Sequence, residues 1–137
     1  MARIDTSEFS KFLLDMEELA RLPDEVIEKM LLAEAEVAER AIKSKGRSYG
    51  VEDTGTTLDS ITTGKVKRTK LGMGLHIYPK GKNKRGDRNA EVAFINEFGK
   101  HGQPARPFMR DACEEAADEV CEAAEKIYNQ YLNSKKL

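Results

Sequence analysis

From Met109 to Tyr131 the apolar residues fall at Met109, Ala112, Cys113, Ala116, Ala117, Val120, Ala124, Ile127, Tyr128 and Tyr131. A repeat of about 3.6 residues places them on one face of a long helix. Pro107 suits the first turn, where its missing amide costs no hydrogen bond. Asp111, Glu114, Glu115, Asp118 and Glu119 crowd the start and Lys135 and Lys136 follow the end, as the helix dipole favours. The stripe is built from alanine and cysteine more than from bulky side chains, so a neighbour can approach closely. Either a sheet or a second long helix meets that demand. Cys113 and Cys121 are eight residues apart, which on a helix separates their Cα atoms by about 12 Å, beyond disulfide reach. They are expected to act as small buried hydrophobes.

The N-terminal third supplies the second helix. After Thr6 or Ser7, either of which can cap a helix, apolar residues at Phe9, Phe12, Leu13, Met16, Leu19 and Ala20 keep helical spacing until Leu22-Pro23-Asp24. Pro23 disfavours helix at Leu22 and can itself open a new one. A long helix is predicted from there to about Ser44. Val26, Ile27, Met30, Leu31, Ala33, Val37, Ala38 and Ala41 face inward, while Glu28, Glu36, Glu39 and Arg40 face mostly outward. Lys43, Lys45, Gly46 and Arg47 suit its C-terminal end.

Residues 45–57 lose the helical period and read as a loop. The pattern then alternates, at Leu71, Met73, Leu75 and Ile77, as in a half-buried strand whose antiparallel partner is Gly64-Lys65-Val66-Lys67-Arg68-Thr69 with a turn near Lys70. Residues 80–89 contain no apolar side chain and two glycines, and are expected to form an exposed, mobile loop. Asn89 can cap a short helix through Ala90, Ala93, Phe94 and Phe98, closed by Gly99. Residues 91–95 fit a strand equally well. The expected fold class is therefore α+β, with long N-terminal helices and a C-terminal helix packed on a small antiparallel sheet.

At 137 residues with 39% apolar content, the chain can bury one core without disulfides or metal. One domain is expected over 1–137, with a helical extension at 1–22 and a core over 24–132. The net charge of −1 hides a segregation. Residues 1–42 hold 5 basic and 11 acidic side chains, residues 43–88 hold 12 and 4, and residues 89–137 hold 6 and 9. This argues against a uniformly basic nucleic-acid binder and against an acidic solvating chain. No apolar run approaches membrane-spanning length, and Met1-Ala2-Arg3-Ile4-Asp5 lacks the apolar core of a signal peptide, so a soluble, cytoplasmic product is expected.

Catalytic signatures are missing from the sequence. It has no Gly-x-Ser-x-Gly elbow, no His-Glu-x-x-His, no phosphate loop and no dinucleotide fingerprint, and His76 and His101 belong to no ligand-spaced cluster. No enzyme activity, cofactor or metal is expected. Glu97 and His101 have the chemistry of an acid–base pair, but Gly99 and Gly102 interrupt the helix that would align them, and a polar turn is the simpler reading. Arg85-Gly86-Asp87 spells an adhesion tripeptide in a chain with no other secretory feature. The basic middle, including Lys80, Lys82, Lys84, Arg85 and Arg88, has the charge to neutralise phosphates. Only Tyr78 is available there to stack on bases, and no helix-turn-helix or zinc module accompanies it. A solvated hairpin tip, or one that meets an acidic protein surface, fits better than a specific nucleic-acid site.

Three strings then occur in order: Thr54-Gly55-Thr56-Thr57-Leu58-Asp59-Ser60-Ile61, Phe94-Ile95-Asn96-Glu97-Phe98-Gly99-Lys100 and Pro104-Ala105-Arg106-Pro107-Phe108-Met109-Arg110-Asp111-Ala112. Following a long N-terminal helix, they resemble the small neck or tail-component proteins of long-tailed bacteriophages, the tail-completion or head-tail joining type. The resemblance covers roughly residues 24–132, and the Pro-Ala-Arg-Pro-Phe string is its most specific part. It departs from the family at Gly99-Lys100-His101-Gly102, where Gly-Thr is more usual, and in the added first helix.

The resemblance implies a non-enzymatic α+β virion component of a phage or prophage, made in the bacterial cytoplasm and assembled as a homo-oligomeric ring in the neck or tail. Its partners would be other neck, connector or tail proteins, with no membrane and no specific nucleic acid. Within these strings the prolines flanking Arg106 hold it extended and leave its guanidinium a fork for a carboxylate, with Glu97 as candidate, inside one subunit or across an interface. Phe108 anchors the start of the last helix. The candidate assembly residues are thus Lys80, Lys82, Lys84, Arg85, Arg88, Glu97, Arg106 and Phe108, with the basic loop meeting an acidic helix of a neighbouring copy.

Overall fold

Helix α1 spans Ser7–Ala20 and α2 spans Asp24–Ser48, and the two are separated by Pro23, whose carbonyl accepts the Val26 and Ile27 amides at 3.0 and 3.2 Å. The computed structural model describes residues 7–51 and 56–135. The alternative cap Thr6, the Thr54-Gly55 pair, Lys136 and the side chains of Leu19 and Ala20 lie outside the described residues.

The second helix runs past the expected Ser44 because Gly46 serves packing and does not stop the helix. A Cβ on Gly46 would come within 2.3 Å of Leu58 Cδ2, so a larger residue would push Leu58 off the helix backbone. The stop comes at Gly50, in the left-handed region with φ +63°. The Gly50 amide donates to Arg47 O at 3.1 Å and the Val51 amide to Gly46 O at 3.0 Å, the paired bonds of a Schellman termination. The expected loop thus shrinks, and the short helix α3, Thr56–Asp59, occupies its far side.

The long C-terminal helix, α5 (Phe108–Ser134), lies antiparallel to α2. Tyr49 bonds Asp111 and Lys45 pairs with Glu115, so the residue numbers climb on one helix as they fall on the other. Ala35 of α2 and Ala112, Ala116 and Ala124 of α5 are buried. One prediction fails on this helix: Cys113 and Cys121 are exposed. The buried row of α5 runs through positions 112, 116 and 124, and Cys113 and Cys121 fall beside it.

Residues 61–79 form four short strands: β1 (Ile61–Thr63), β2 (Lys67–Thr69), β3 (Gly72–Gly74) and β4 (Ile77–Pro79). They form one hairpin in two antiparallel sections, β1 with β4 and β2 with β3. Thr63 opposes Ile77 and Lys67 opposes Gly74, so three residues, 64–66, face two, 75–76, and the ladder carries a bulge. The expected single strand through Leu71, Met73, Leu75 and Ile77 is accordingly broken. Leu71 sits in the β2–β3 turn, fully exposed, and only Ile77 reaches the core cluster.

Residues Asn89–Phe98 form helix α4 and not the alternative strand. The apolar row through Ala90, Ala93, Phe94 and Phe98 does not define its buried face. Asn89, Ala93, Asn96 and Glu97 are buried, whereas Ala90, Phe94 and Phe98 are exposed. The core where these elements meet contains Ile42, Val51, Leu58, Ile61, Ala93, Phe108 and Ala112. The α+β class is as expected, and no helix among the described residues is long and apolar enough to cross a membrane.

Candidate functional site

The corner where α4 turns into α5 gathers three of the eight candidate residues, Glu97, Arg106 and Phe108. Helix α5 begins after Pro107, which offers no side-chain cap, leaving its first amides in need of acceptors. Glu97 supplies them from α4. Its Oε2 accepts the Met109 amide at 2.8 Å and its Oε1 accepts the Arg110 amide at 3.0 Å. A carboxylate at the positive end of a helix is favourable on two counts, hydrogen bonding and dipole. This explains why a charged side chain is only 9% exposed.

Arg106 does not pair with Glu97, contrary to the reading above. Glu97 is already engaged by two amides, and the Arg106 side chain instead donates from Nη1 to Gly50 O at 2.6 Å, at the end of α2. Its own amide donates to Asn96 O at 2.6 Å. Pro107, at φ −76° and ψ 66°, makes an inverse γ-turn in which the Phe108 amide donates to Arg106 O at 2.7 Å. That turn drives Phe108 inward, where it is wholly buried and anchors the helix as expected. The Pro-Ala-Arg-Pro-Phe string is therefore a clasp holding α2, α4 and α5 together.

Gly99 ends α4 at φ +78°, and a Cβ there would lie 2.8 Å from Ala105 N and 2.9 Å from Gln103 O. The Glu-Phe-Gly string thus has a cap, an exposed aromatic and a required glycine in succession. His101 stands exposed in the Lys100–Gln103 turn, and no hydrogen bond or ion pair joins it to Glu97 among the described residues.

The basic loop is exposed, as predicted, but its backbone is organised. Asn83 Oδ1 accepts the Arg85 and Asp87 amides, both at 3.0 Å, and the Asn83 amide donates to Asp87 O at 2.8 Å. Buried Asn89 fixes the loop's base, donating from Nδ2 to Lys80 O at 2.8 Å and accepting from the Thr57 hydroxyl at 3.2 Å. Arg88 lies 3.7 Å from Glu91. Among the described residues no carboxylate lies within ion-pair distance of Lys80, Lys82, Lys84 or Arg85. An open cleft of about 530 Å³ separates this loop from the corner, lined by Asn83, Lys84, Arg85, Asn96, Gln103 and Arg106 among others.

Other charges are paired within the subunit. Arg68 of the hairpin bonds Asp24, Arg47 lies 3.8 Å from Asp59, and Lys45 pairs with Glu115. Burial disfavours the Glu39 carboxylate, but the Thr63 hydroxyl and Lys43 ammonium outweigh it and hold its pKa below the ordinary value. The Tyr49 hydroxyl donates to Asp111, which raises the tyrosine pKa and lowers that of the aspartate. Among the described residues, five of the twelve cations in residues 43–88 therefore have an intrasubunit carboxylate partner. The basic middle is thus paired around α2, to α2 itself, α3, the hairpin and α5, while Lys80, Lys82, Lys84 and Arg85 have no carboxylate partner among the described residues.

The feature sequence reasoning missed is the outward face of α4. Phe94 is 63% and Phe98 67% exposed, with ring centroids 4.7 Å apart. On α1, Phe9, Phe12, Leu13 and Met16 are each at least half exposed. The inward turn of Asn96 and Glu97, which bond Val92 O and the start of α5, leaves Phe98 on the other face. Comparison of the chain with family models, curated proteins and solved structures finds no match.

Proposed function

We propose that the chain is a non-enzymatic structural subunit of a phage or prophage virion, acting in tail completion or head-tail joining as part of an oligomeric ring. One observation carries the assembly reading: α4 buries Asn89, Asn96 and Glu97 while presenting Phe94 and Phe98 to solvent. Large exposed aromatics beside a helix fixed by buried polar bonds mark an interaction surface. The phage assignment rests on the three strings, and the corner uses the second and third as a set of Glu97 cap, Gly99 approach, Arg106 clasp and Phe108 anchor. The subunit would accumulate in the host cytoplasm and join connector or tail proteins in the neck. Electron microscopy of particles made without it tests the role: separate heads and tails are expected, and joined, tail-complete particles would refute it.

A second reading, a nucleic-acid-associated phage protein, draws on Lys80, Lys82, Lys84 and Arg85 standing exposed with no carboxylate partner among the described residues. Titration with random duplex DNA at several salt concentrations separates the two. Tight, steeply salt-dependent binding favours the second reading and its absence favours assembly.

A further inference from the structure

The chain exposes two apolar surfaces at opposite ends of its long helices. One is the α1 stripe, Phe9, Phe12, Leu13 and Met16, spaced as one face of a helix. The other is the α4 patch, Phe94 and Phe98, continuous with a shallow hollow lined by Arg88, Ala90, Glu91, Phe94 and Ile95. Their charges are complementary. Residues 7–20 carry four carboxylates and one lysine, while the loop ending at Arg88, residues 80–88, carries five cations and one carboxylate. Lys100 follows on the other side of Phe98.

From these surfaces we infer that α1 of one copy docks on the α4 patch of the next, so that copies join head to tail. This deepens the ring reading above and rests on its claim of self-association. An amphipathic helix seated on an apolar patch is a recurrent recognition mode, and opposite charge around it sets orientation and encounter rate.

Reach excludes the same contact within one copy. Helix α2 has 25 residues and is about 37 Å long, whereas α1 has 14 and is about 21 Å long. The two join at Pro23, at the α2 end nearest the C-terminal end of α5. The α4 patch lies at the other end, where Arg106 bonds Asn96 and Gly50 and Glu97 caps α5. Folded back along α2, the α1 stripe stops roughly 15 Å short of the patch. Two different surfaces that meet only between copies make a heterologous contact, which closes into rings or runs into filaments.

The test uses two full-length variants, Phe9→Gln/Phe12→Gln and Phe94→Gln/Phe98→Gln. All four sites are exposed and glutamine is a good helix former, so unchanged far-ultraviolet circular dichroism is expected for both. Light scattering should show wild-type protein associating with rising concentration, each variant monomeric, and an equimolar mixture forming dimers and nothing larger, since one intact interface remains per pair. Higher salt should weaken the mixed dimer. A wild-type chain monomeric at the highest attainable concentration would overturn both this inference and the ring reading. Wild-type mass retained by either variant, or a mixture that stays monomeric while wild type assembles, would overturn the α1–α4 contact alone.

Discussion

The Met109 amide donates to Oε2 of Glu97 at 2.8 Å, across twelve residues of sequence, and this bond makes the start of α5 depend on the last turn of α4. The same carboxylate holds Arg110 through its other oxygen. An aromatic patch on α4 is thereby fixed to the longest helix in the chain, so the exposed Phe98 inherits a defined position from its buried neighbour.

Replacing Glu97 with alanine removes both acceptors and leaves two amides at the helix start without them. A loss of about 2 kcal/mol is expected, the usual range for a lost cap in a buried setting. Glu97→Gln keeps one carbonyl oxygen and should fall between wild type and Glu97→Ala. Urea unfolding midpoints measure the order; equal stability of Glu97→Ala and wild type would mean that water replaces the cap.

Gly99→Ala places a methyl group 2.8 Å from Ala105 N at a backbone φ of +78°. Strain and clash together should cost about 2–3 kcal/mol. Gly102 has a similar φ of +79° but open space around it, so Gly102→Ala should cost only about 1 kcal/mol. Thermal unfolding of the two variants side by side isolates the effect of the Ala105 contact.

The Tyr49–Asp111 hydrogen bond predicts a pH dependence with two limbs. The Tyr49 hydroxyl lowers the Asp111 pKa, so this contribution is complete above the ordinary aspartate value of 3.8 and is lost as pH falls through the lower folded value. Asp111 raises the Tyr49 pKa, so that contribution is complete below the ordinary 10.0 and is lost as pH rises through the higher folded value. Tyr49→Phe should remove the alkaline limb and flatten the acid one, with Arg110 still beside Asp111. Thermal midpoints across pH, with tyrosinate absorbance, report both limbs.

Asn89→Ala should loosen the basic loop more than the core. It removes the donor to Lys80 O and the acceptor for the Thr57 hydroxyl, at an expected cost of about 1–2 kcal/mol. Hydrogen exchange should accelerate first at the Asn83, Asp87 and Asn89 amides. Uniform acceleration across α2 and α5 would show instead that Asn89 supports the whole fold.

The two long helices were legible from their periods because their apolar rows are long and uninterrupted. Which side of the stripe is buried was not: Cys113 belongs to it by spacing, yet the buried row of α5 runs through Phe108, Ala112, Ala116 and Ala124 and leaves Cys113 exposed. Gly46 reads as a helix stop until Leu58 is seen lying against it. The β-hairpin was recognisable, but the extra residue in 64–66 leaves no periodic trace in so polar a segment, and Leu71 was consequently placed inside. Glu97, Arg106 and Phe108 meet at one corner, but not through the expected Arg106–Glu97 pair. Their roles separated only when the Gly50 carbonyl and the α5 amides appeared as competing partners. The outward turn of Phe94 and Phe98 runs against hydrophobicity and follows from the polar bonds of Asn89, Asn96 and Glu97.

The proposed place of this chain in a virion neck is tested most directly by locating it. A small tag would be placed in the exposed Lys84–Arg85 turn and decorated with antibody on purified particles of the encoding phage or prophage, then viewed by electron microscopy. Label confined to the head–tail junction is the predicted result. Purified particles that carry no label, or carry it only away from the junction, while the tagged protein remains in the lysate, would contradict the account.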